Sequence, residues 1–320
     1  MFLKKKGFSK YKMIDLSIII PAYNEEKNII PLYKEIKEVL RNLKKSYEII
    51  VIDDGSKDKT FDILQTLSKS DKKLKVIRFQ KNFKKAAALS AGFHESKGNI
   101  IITLDSDLQD NPQEIPNLLK KLNKGYDLVV GWKYKRKDPL LRRINSKIFN
   151  ILIKVLMKLK IHDSDCNFRA MGKNVVKNLN LYGGLYRYIP SIAHNQGYKV
   201  GEVKVIHRQR KFGKSKYNAS RLFTGFFDLI TVKFLLSYKK RPMHLFAIPG
   251  TIFSGIGFLI AFYLAFVRLF LKTNIGERPI LLLSILLIVL GIQFISIGLI
   301  GEMITSKDKE EKYIIKTKLN

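Results

Sequence analysis

Two long uncharged segments near the C-terminus constrain this chain more than any other feature of its sequence. Leu245 to Val267 and Pro279 to Ile300 contain no charged side chain. Each exceeds the roughly 20 residues that a helix needs to cross about 30 Å of hydrocarbon. The alternative, buried core helices, is disfavoured because the two runs stand in tandem with only a short polar link between them. We therefore predict a transmembrane hairpin over residues 242–304.

The positive charges around this hairpin predict its orientation. Lys239, Lys240 and Arg241 precede it, and five lysines follow it between residues 307 and 318. The link between the two runs carries less positive charge than either flank. By the positive-inside rule both ends of the hairpin lie in the cytoplasm. The sequence thus predicts an integral inner (plasma) membrane protein whose termini and N-terminal domain are cytoplasmic.

The charge balance of the whole chain predicts an anionic partner. The formal net charge is +32, from 59 Lys and Arg against 27 Asp and Glu. Such a balance attracts nucleic acid, anionic membranes or phosphorylated substrates. The apolar hairpin favours the membrane and phosphorylated substrates, and we expect no nucleic-acid partner. The single cysteine, Cys166, excludes an internal disulfide.

The region before the hairpin predicts an α/β domain over residues 14–217. Short β-branched runs alternate with segments of helical periodicity, as in residues 25–45. The runs begin at Leu16, Glu48, Leu74, Ile100, Tyr126 and Val200. Alternating strands and helices predict right-handed βαβ units and a mostly parallel, Rossmann-like sheet.

Three further segments have compositions of their own. Residues 1–13 form a basic N-terminal tail, and residues 305–320 form a basic cytoplasmic tail. Within the α/β domain, residues 140–160 combine an apolar stripe with many Lys and Arg and no acid until Asp163, which predicts an interfacial helix on anionic lipid. The alternative for this segment is an ordinary surface helix. Residues 218–241 predict a juxtamembrane amphipathic helix.

Acidic residues follow the Ile100 strand where that strand ends. Asp105 and Asp107 come first, with Gln109 and Asp110 close behind. Ligands of open α/β sheets bind beyond the carboxyl ends of the strands. Carboxylate and amide oxygens suit Mg²⁺ or Mn²⁺, which is usually shared with substrate phosphates. The pattern therefore predicts a metal and diphosphate site.

Polar clusters also follow the first two predicted strands. Residues 21–25 read Pro-Ala-Tyr-Asn-Glu, and residues 53–56 read Asp-Asp-Gly-Ser. Asp54 is placed to accept hydrogen bonds from a base or a ribose. Taken alone, the second cluster also fits a turn with a helix cap. Three clusters at successive strand ends of one sheet favour a binding site.

These segments together resemble a known family. SIIIPAYNEE, VIDDGSKDKT, LDSDLQD and HRQRKFGKSKY resemble glycosyltransferase family 2, which has the GT-A fold. More closely, they are similar to polyprenyl-phosphate glycosyltransferases such as dolichol-phosphate mannosyltransferases and bacterial bactoprenol glucosyltransferases. The resemblance covers Leu16 to Tyr217 and, through the paired membrane helices of the bacterial branch, extends loosely to the end of the chain.

The resemblance implies a set of site residues. Asp105 and Asp107 match the DxD motif, Gln109 matches the metal-side glutamine, and Arg210 with Lys216 matches a basic pair that contacts phosphate. The implied metal ligands are Asp105, Asp107 and Gln109, and the implied catalytic residues are Asp105, Asp107 and Arg210. The implied nucleotide-sugar pocket comprises Pro21, Tyr23, Glu25, Ile52, Asp54, Asp105, Ser106, Asp107, Lys133, Arg210 and Lys216. For the basic loop around Arg210, a solvated surface loop is the alternative.

Three positions depart from the family pattern. Lys133 stands where the family usually has arginine, and Lys84 stands where relatives commonly have glycine. Asn167 replaces an aspartate found in many relatives, which removes a candidate base, and Asp163 or Asp165 are alternatives for that role.

The implied reaction is an inverting, metal-dependent transfer of a sugar from a nucleotide sugar to polyprenyl (undecaprenyl) phosphate. Glucose from UDP-glucose is the expected donor, while GDP and other sugars stay open. Mg²⁺ or Mn²⁺ is the expected cofactor, and a homo-oligomer stays open. A processive polysaccharide synthase is a rival, but its QxxRW motif is missing from the sequence. A non-catalytic, membrane-anchored polyanion binder is another rival, which leaves the acidic clusters unexplained.

Overall fold

The computed structural model describes residues 14–134, 150, 151, 153–155, 157, 159–210, 212, 231–234, 242–270 and 279–307. The chain divides into two compact units, Met1–Ile230 and Thr231–Asn320. Each unit is described by itself below. The predicted tail over residues 1–13, Lys216, residues 308–320, and most of the predicted helices 140–160 and 218–241 lie outside the described residues.

A mixed sheet forms the centre of the first unit. Its strands are β1 (Leu16–Ala22), β2 (Tyr47–Asp53), β3 (Leu74–Arg78), β4 (Ile100–Thr103), β5 (Leu128–Tyr134), β6 (Arg169–Gly172) and β7 (Val200–Ile206). The strand order is β3-β2-β1-β4-β6-β5-β7. Only β6 runs antiparallel to its neighbours β4 and β5. The predicted α/β class and mostly parallel sheet are confirmed.

Six helices accompany the sheet in the described residues, and the first three of them lie where the sequence predicted helices. They are α1 (Glu26–Asn42), α2 (Thr60–Ser70), α3 (Lys84–Glu95), α4 (Ile115–Leu122), α5 (Lys173–Lys177) and α6 (Ile189–Asn195). In α1 the buried side chains recur at helical spacing, as at Ile29, Leu32, Ile36 and Leu40, which is the pattern of an amphipathic helix packed on a core. Strands β1 and β2 are buried almost throughout, as parallel strands covered on both faces are.

Strand β6 was not predicted from the sequence. It has four residues and begins with Arg169, whose side chain is fully buried. The guanidinium donates to three backbone carbonyls, those of Cys166 (2.6 Å), Tyr186 (2.8 Å) and Ser164 (3.2 Å). These bonds offset the cost of burying a charged group. A short strand led by a cation carries no hydrophobic alternation, so periodicity could not reveal it.

The second unit contains two long apolar helices, α7 (Met243–Phe270) and α8 (Pro279–Lys307). Both are long and apolar enough to cross a membrane, and α8 continues seven residues beyond the predicted end at Ile300. Large apolar side chains on α7 are mostly exposed, including Leu259 (71 %) and Phe262 (75 %). Exposed apolar surface on tandem helices matches a lipid environment better than a soluble core.

Candidate active site

The three predicted polar clusters meet at one edge of the sheet. Strands β1, β2 and β4 are adjacent and parallel, so their carboxyl ends point the same way. Ala22 is in register with Asp53, and Ile19 is in register with Thr103. The loops that follow these strands therefore form one continuous rim, which is where ligands of open α/β sheets bind.

The first two loops are locked to each other. The Asn24 backbone N–H donates to Ser56 Oγ (2.9 Å), and its side-chain Oδ1 accepts from the Lys57 N–H (2.8 Å). The Glu25 N–H donates to Thr60 Oγ1 (2.8 Å). Asn24 adopts a φ of +54°, a left-handed conformation that asparagine tolerates better than most residues. These bonds hold the rim in one shape.

The predicted pocket residues on these loops differ in what they offer. Pro21 and Ile52 are register partners across β1 and β2. Ile52 is fully buried, so its side chain belongs to the core and only its backbone can line a pocket. Tyr23 and Glu25 are partly exposed on the loop after β1, and Asn28 Nδ2 donates to the Glu25 carboxylate at 2.5 Å.

Asp54 lies against the first turn of α3. Its Oδ1 accepts from the Phe83 N–H (2.7 Å), and the side chain is almost fully buried. Burial raises the pKa of this carboxyl, the charge of Asp53 raises it further, and the backbone bonds from Phe83 and Lys84 counteract part of the rise. Lys84 itself has a φ of +73°. That conformation favours glycine, which is the residue that the family resemblance implies at this position.

Each carboxylate of the loop after β4 is paired with a cation from a different element. The pairs are Asp105 with Lys85 (2.5 Å), Asp107 with Arg210 (2.6 Å) and Asp110 with Lys133 (3.2 Å). Lys85 comes from α3, Lys133 from β5, and Arg210 from the segment after β7. The fold thus brings three carboxylates and three positively charged side chains together from distant parts of the chain.

The pKa values of the two motif acids move in opposite directions. For Asp105, burial raises the pKa, but the charges of Lys85 and Lys133 outweigh it and lower the pKa to about 2. For Asp107, burial raises the pKa, and the charges of Asp105 and Asp110 raise it further against the effect of Arg210. Asp107 is therefore the acid that additional positive charge would relieve most.

The loop after β4, residues 104–111, which we call the acid loop, is compact and strained. Asp107 Oδ1 accepts from the Gln109 N–H (3.1 Å), and the Asp105 N–H donates to Asp110 Oδ2 (3.2 Å). Ser106 is buried within this loop. Leu108 has a φ of +62° although it is a branched residue and buried. Backbone strain of this kind persists where the surroundings fix it, and it clusters at ligand sites.

The segment after β7 is tied to the acid loop, which places Arg210. The Arg208 N–H donates to the Gln109 carbonyl (2.9 Å), and its guanidinium binds Glu35 (2.7 Å) and Asn111 (2.5 Å). Arg208 and Arg210 are therefore bound to other side chains and do not belong to a solvated surface loop, which was the alternative for this segment. Lys216, which was predicted to act together with Arg210, lies outside the described residues.

The residues of the predicted metal site could supply only part of the coordination shell of a cation, so a substrate would have to supply the rest. No group of three or more His, Cys, Asp or Glu in the described residues is arranged to hold a metal. Asp105 and Asp107 present hard carboxylate oxygens on one loop. Mg²⁺ commonly uses one or two carboxylates and completes its shell with substrate phosphates and water. The donor set fits that arrangement, and the role of the Gln109 side chain stays a prediction.

Several residues at the site were not predicted as functional. Lys85 and Asn167 both bind Asp105 Oδ1, with Asn167 Nδ2 donating at 2.9 Å. The Lys85 Nζ also lies 5.5 Å from the Tyr186 ring centroid. One sequence signal was available: α3 begins with Lys84 and Lys85 and has no acid in its first turn, although the helix dipole disfavours cations there. An unfavourable placement of this kind indicates a binding role.

The two aspartates considered as alternatives to Asn167 have other partners. Asp163 Oδ2 accepts from the Lys133 N–H (3.4 Å). Asp165 Oδ1 lies 3.8 Å from Arg187 Nε. Both therefore support basic residues around the site, and a role for either as a base stays a prediction.

Comparison with known proteins identifies the family of the chain and its relatives. The profile of the family described as glycosyl transferase family 2 matches residues 17–179. Dodecaprenyl-phosphate galacturonate synthase of Rhizobium johnstonii is 34 % identical over 95 % of this chain and 92 % of its own length. Undecaprenyl-phosphate 4-deoxy-4-formamido-L-arabinose transferase of Photorhabdus laumondii is 34 % identical over 93 % of this chain and 90 % of its own length.

A solved structure shares the fold of the first unit. Glucosyl-3-phosphoglycerate synthase from Mycobacterium tuberculosis, crystallised with Mn²⁺, UDP and phosphoglyceric acid, superposes with a TM-score of 0.55 at 19 % identity. The match covers 70 % of this chain and 78 % of that one. At this identity the likeness shows the fold alone.

Proposed function

The chain belongs to glycosyl transferase family 2, and from that premise we propose that it transfers a sugar from a nucleotide diphosphate to polyprenyl phosphate. One observation carries the proposal: three carboxylates and three positively charged side chains meet at the carboxyl edge of the sheet. Such a cluster suits a leaving group that carries several negative charges. The relatives named for polyprenyl-phosphate substrates support the choice of acceptor.

The basic residues stabilise the leaving diphosphate. Arg210, Lys133 and Lys85 are each held by a carboxylate of the loop after β4, so their positive charges are fixed at the site before negative charge develops on the diphosphate. Preorganised charge of this kind lowers the barrier because little reorganisation is needed during the reaction. A divalent ion held by Asp105 and Asp107 would supply further Lewis-acid stabilisation of the same charge.

The acceptor phosphate needs little activation. A monoalkyl phosphate has a second pKa around 6, so it is already an anionic nucleophile near neutral pH. Its oxygen attacks the anomeric carbon, the bond from that carbon to the diphosphate breaks, and the nucleoside diphosphate leaves. Asn167 cannot act as a base, and this chemistry requires none. Its bond to Asp105 instead holds that carboxylate in place.

We propose UDP-glucose as the donor. The proposal follows from the resemblance to bacterial bactoprenol glucosyltransferases, while relatives are named for galacturonate and for 4-deoxy-4-formamido-L-arabinose. By the same resemblance, we propose that Asp54 accepts a hydrogen bond from the base or the ribose. The sugar is therefore the part of the proposal that a donor panel must decide.

A donor panel tests the activity. Membranes containing the full chain receive undecaprenyl phosphate and one labelled donor each: UDP-glucose, UDP-galacturonate, the UDP-linked formamido-arabinose or GDP-mannose. We expect label from UDP-glucose in the extracted lipid, at one sugar per polyprenyl phosphate, and loss of transfer on chelation with EDTA. Polymeric product would favour a processive synthase. Nucleotide binding without transfer from any donor would favour a non-catalytic binder.

We also propose that the hairpin anchors the protein in the inner membrane with the catalytic unit and both termini on the cytoplasmic side. The argument rests on the exposed apolar surface of α7 and α8 and on the positive charge that flanks them. A polyprenyl chain does not leave the bilayer readily, because each buried methylene contributes about 0.8 kcal/mol. The enzyme must therefore work at the membrane surface.

A further inference from the structure

Strands β5 and β7 carry different chemistry on their two faces. Lys133 points toward Asp110 in the active site. Side chains alternate along a strand, so Trp132 and Tyr134 project from the opposite face. The parallel register places Lys204 beside Trp132 and Ile206 beside Tyr134. These four residues form what we call the aromatic platform.

The aromatic platform is an ordered arrangement. The Trp132 and Tyr134 rings meet edge to face, with centroids 5.4 Å apart and an interplanar angle of 78°. Lys204 Nζ lies 5.3 Å from the Trp132 centroid and 4.7 Å from the Tyr134 centroid. This geometry leaves the ammonium group at the outer side of two aromatic rings.

A histidine supports the tryptophan from the side. The His162 ring stacks on Trp132, with centroids 4.0 Å apart and planes 11° apart. Glu202 fixes this histidine through its backbone N–H (2.7 Å) and its Nδ1 (2.5 Å). Glu202, which lies on the same strand as Lys204, is therefore engaged by His162.

The composition of the platform is unusual for a water-exposed surface. Tyr134 is 47 % exposed and Ile206 is 61 % exposed, and Lys204 is exposed as well. Tyrosine and tryptophan have an apolar body and a polar end, and lysine extends its ammonium group from an apolar stem. Residues of these types are enriched where a protein meets the headgroup layer of a membrane.

We propose that the aromatic platform rests on the headgroup layer of an anionic bilayer. The proposal goes beyond sugar transfer, because it requires only that the chain is held at a membrane. Charge complementarity favours this partner: the chain carries a net charge of +32, and Lys135, Arg136 and Lys137 directly follow Tyr134 in the sequence. The apolar helices in the same chain keep the bilayer at high effective concentration.

A second copy of the chain is a less suitable partner. Two molecules of charge +32 would bring lysines together at this surface, and like charges at an interface are repulsive. Anionic lipid supplies the opposite charge, and its headgroup layer also accommodates the apolar parts of the aromatic rings. The lipid surface therefore satisfies both parts of the platform.

The chain contains its own reporter, because Trp132 is its sole tryptophan. The full chain is reconstituted in vesicles of phosphatidylcholine and phosphatidylglycerol, in which part of the lipid carries a nitroxide on the headgroup or bromine on the acyl chain. We expect the headgroup nitroxide to quench Trp132 fluorescence about twofold or more, and acyl-chain bromine to quench it less, as for a side chain in the interface. Neutral acrylamide should quench it weakly.

A matched control exists at the other end of the same strand pair. Tyr126 also sits among lysines, with Lys121 Nζ 4.7 Å and Lys199 Nζ 4.9 Å from its ring centroid. It lies six residues before Trp132, or about 20 Å along the strand direction. In the variant W132F/Y126W the reporter should respond to acrylamide and not to either labelled lipid.

The outcomes are distinct. Headgroup quenching of Trp132 that weakens in Lys204→Gln supports the proposal, whether or not the donor panel finds sugar transfer. Strong acrylamide quenching of Trp132 with no lipid quenching would overturn it. Protection from acrylamide without lipid quenching, and dependent on protein density in the vesicle, would identify a second copy as the partner and would also overturn it.

Discussion

At the scale of single residues, the site neutralises its own charges before a substrate is bound. Asp105, Asp107 and Asp110 would repel one another, and Lys85, Arg210 and Lys133 offset that repulsion. Breaking one such pair leaves a buried charge without compensation, which costs more than the pair itself contributes. In the proposed reaction, diphosphate oxygens bind the same basic residues that these carboxylates hold in place. The diphosphate adds negative charge to this neutral set, which a divalent ion held by Asp105 and Asp107 would offset.

Lys84 is the residue at which a substitution should stabilise the protein. Its φ of +73° costs about 1 kcal/mol for a residue with a side chain and little for glycine. We expect Lys84→Gly to raise the thermal unfolding midpoint of detergent-solubilised protein. Lys84→Ala removes the same charge but keeps the Cβ, so it serves as the control. An equal gain in both variants would assign the effect to charge and contradict the backbone argument.

At the scale of elements, one buried carboxylate ties the first three strands together. Glu48 on β2 accepts from Ser17 on β1 (2.6 Å) and from the Lys97 N–H (2.6 Å), and it pairs with Lys75 on β3 (3.0 Å). Burial raises the pKa of Glu48, but these three interactions outweigh it, so the pKa lies below the ordinary value. The ionised form therefore stabilises the sheet on which the site is built.

The pH dependence of stability should report this carboxylate. Because the folded pKa is depressed, its contribution is present above the ordinary pKa of about 4.3 and is lost as the pH falls below it. We expect Glu48→Gln to lower the free energy of unfolding by about 2 kcal/mol at pH 7 and by progressively less below pH 4.3. Glu95→Gln removes the more exposed partner of Lys75 and should change little. A loss that stays constant with pH would contradict the assignment.

The two apolar helices depend on small residues where they meet. A Cβ on Gly291 of α8 would lie 2.5 Å from the Gly250 carbonyl oxygen and 2.6 Å from the Ser254 nitrogen of α7. A Cβ on Gly255 would meet nothing within 4 Å. Close backbone approach of this kind stabilises helix pairs in membranes.

Gly291→Leu should therefore separate the helices and destabilise the hairpin by about 2 kcal/mol or more. The measurement is an unfolding titration with sodium dodecyl sulfate, and its midpoint is the mole fraction of this detergent at which half of the protein has lost its helix packing. Gly255→Leu adds the same side chain to the same hairpin and should leave that midpoint unchanged. Similar effects of the two substitutions would show that bulk, and not the contact at Gly291, is responsible.

The sequence predicted the elements whose pattern is local and missed what depends on tertiary contacts. Strand-end acids such as Asp105 could be placed because parallel strands share one carboxyl edge. The contact between Lys85 and this acid could not be predicted, since only the fold brings the start of α3 to Asp105. Strand β6 escaped because Arg169 is made compatible with burial by three distant carbonyls. The positive φ of Lys84 was equally invisible, although the departure from glycine marked the position.

At the scale of the whole molecule, the proposed function requires the assembled site to reach a lipid that stays in the membrane. The net charge of +32 favours anionic partners, which we propose to be the bilayer and the phosphorylated substrates. Residues 14–210, where described, contain the assembled site, and residues 242–307 contain the two apolar helices. The proposed transfer from a cytoplasmic nucleotide sugar requires the assembled site to lie on the cytoplasmic side of the bilayer that α7 and α8 are proposed to span.

Fusions with alkaline phosphatase test that arrangement, because this enzyme is active only outside the cytoplasm. A fusion after Asn320 should be inactive, and an insertion within residues 271–278, the link between α7 and α8, should be active. Each fusion is compared with a fluorescent-protein fusion at the same position, which should give the opposite signal. Activity at Asn320 and none in the link would reverse the proposed orientation.

The most direct measurement of the central claim is sugar transfer by Asp107→Asn. This substitution keeps the size of the side chain and removes the charge that pairs with Arg210. We expect transfer from labelled UDP-glucose to undecaprenyl phosphate to fall about 100-fold or more. Membrane insertion should be retained, as in the control Asp62→Asn on the exposed face of α2, which should also keep full transfer. Wild-type transfer by Asp107→Asn would contradict the account.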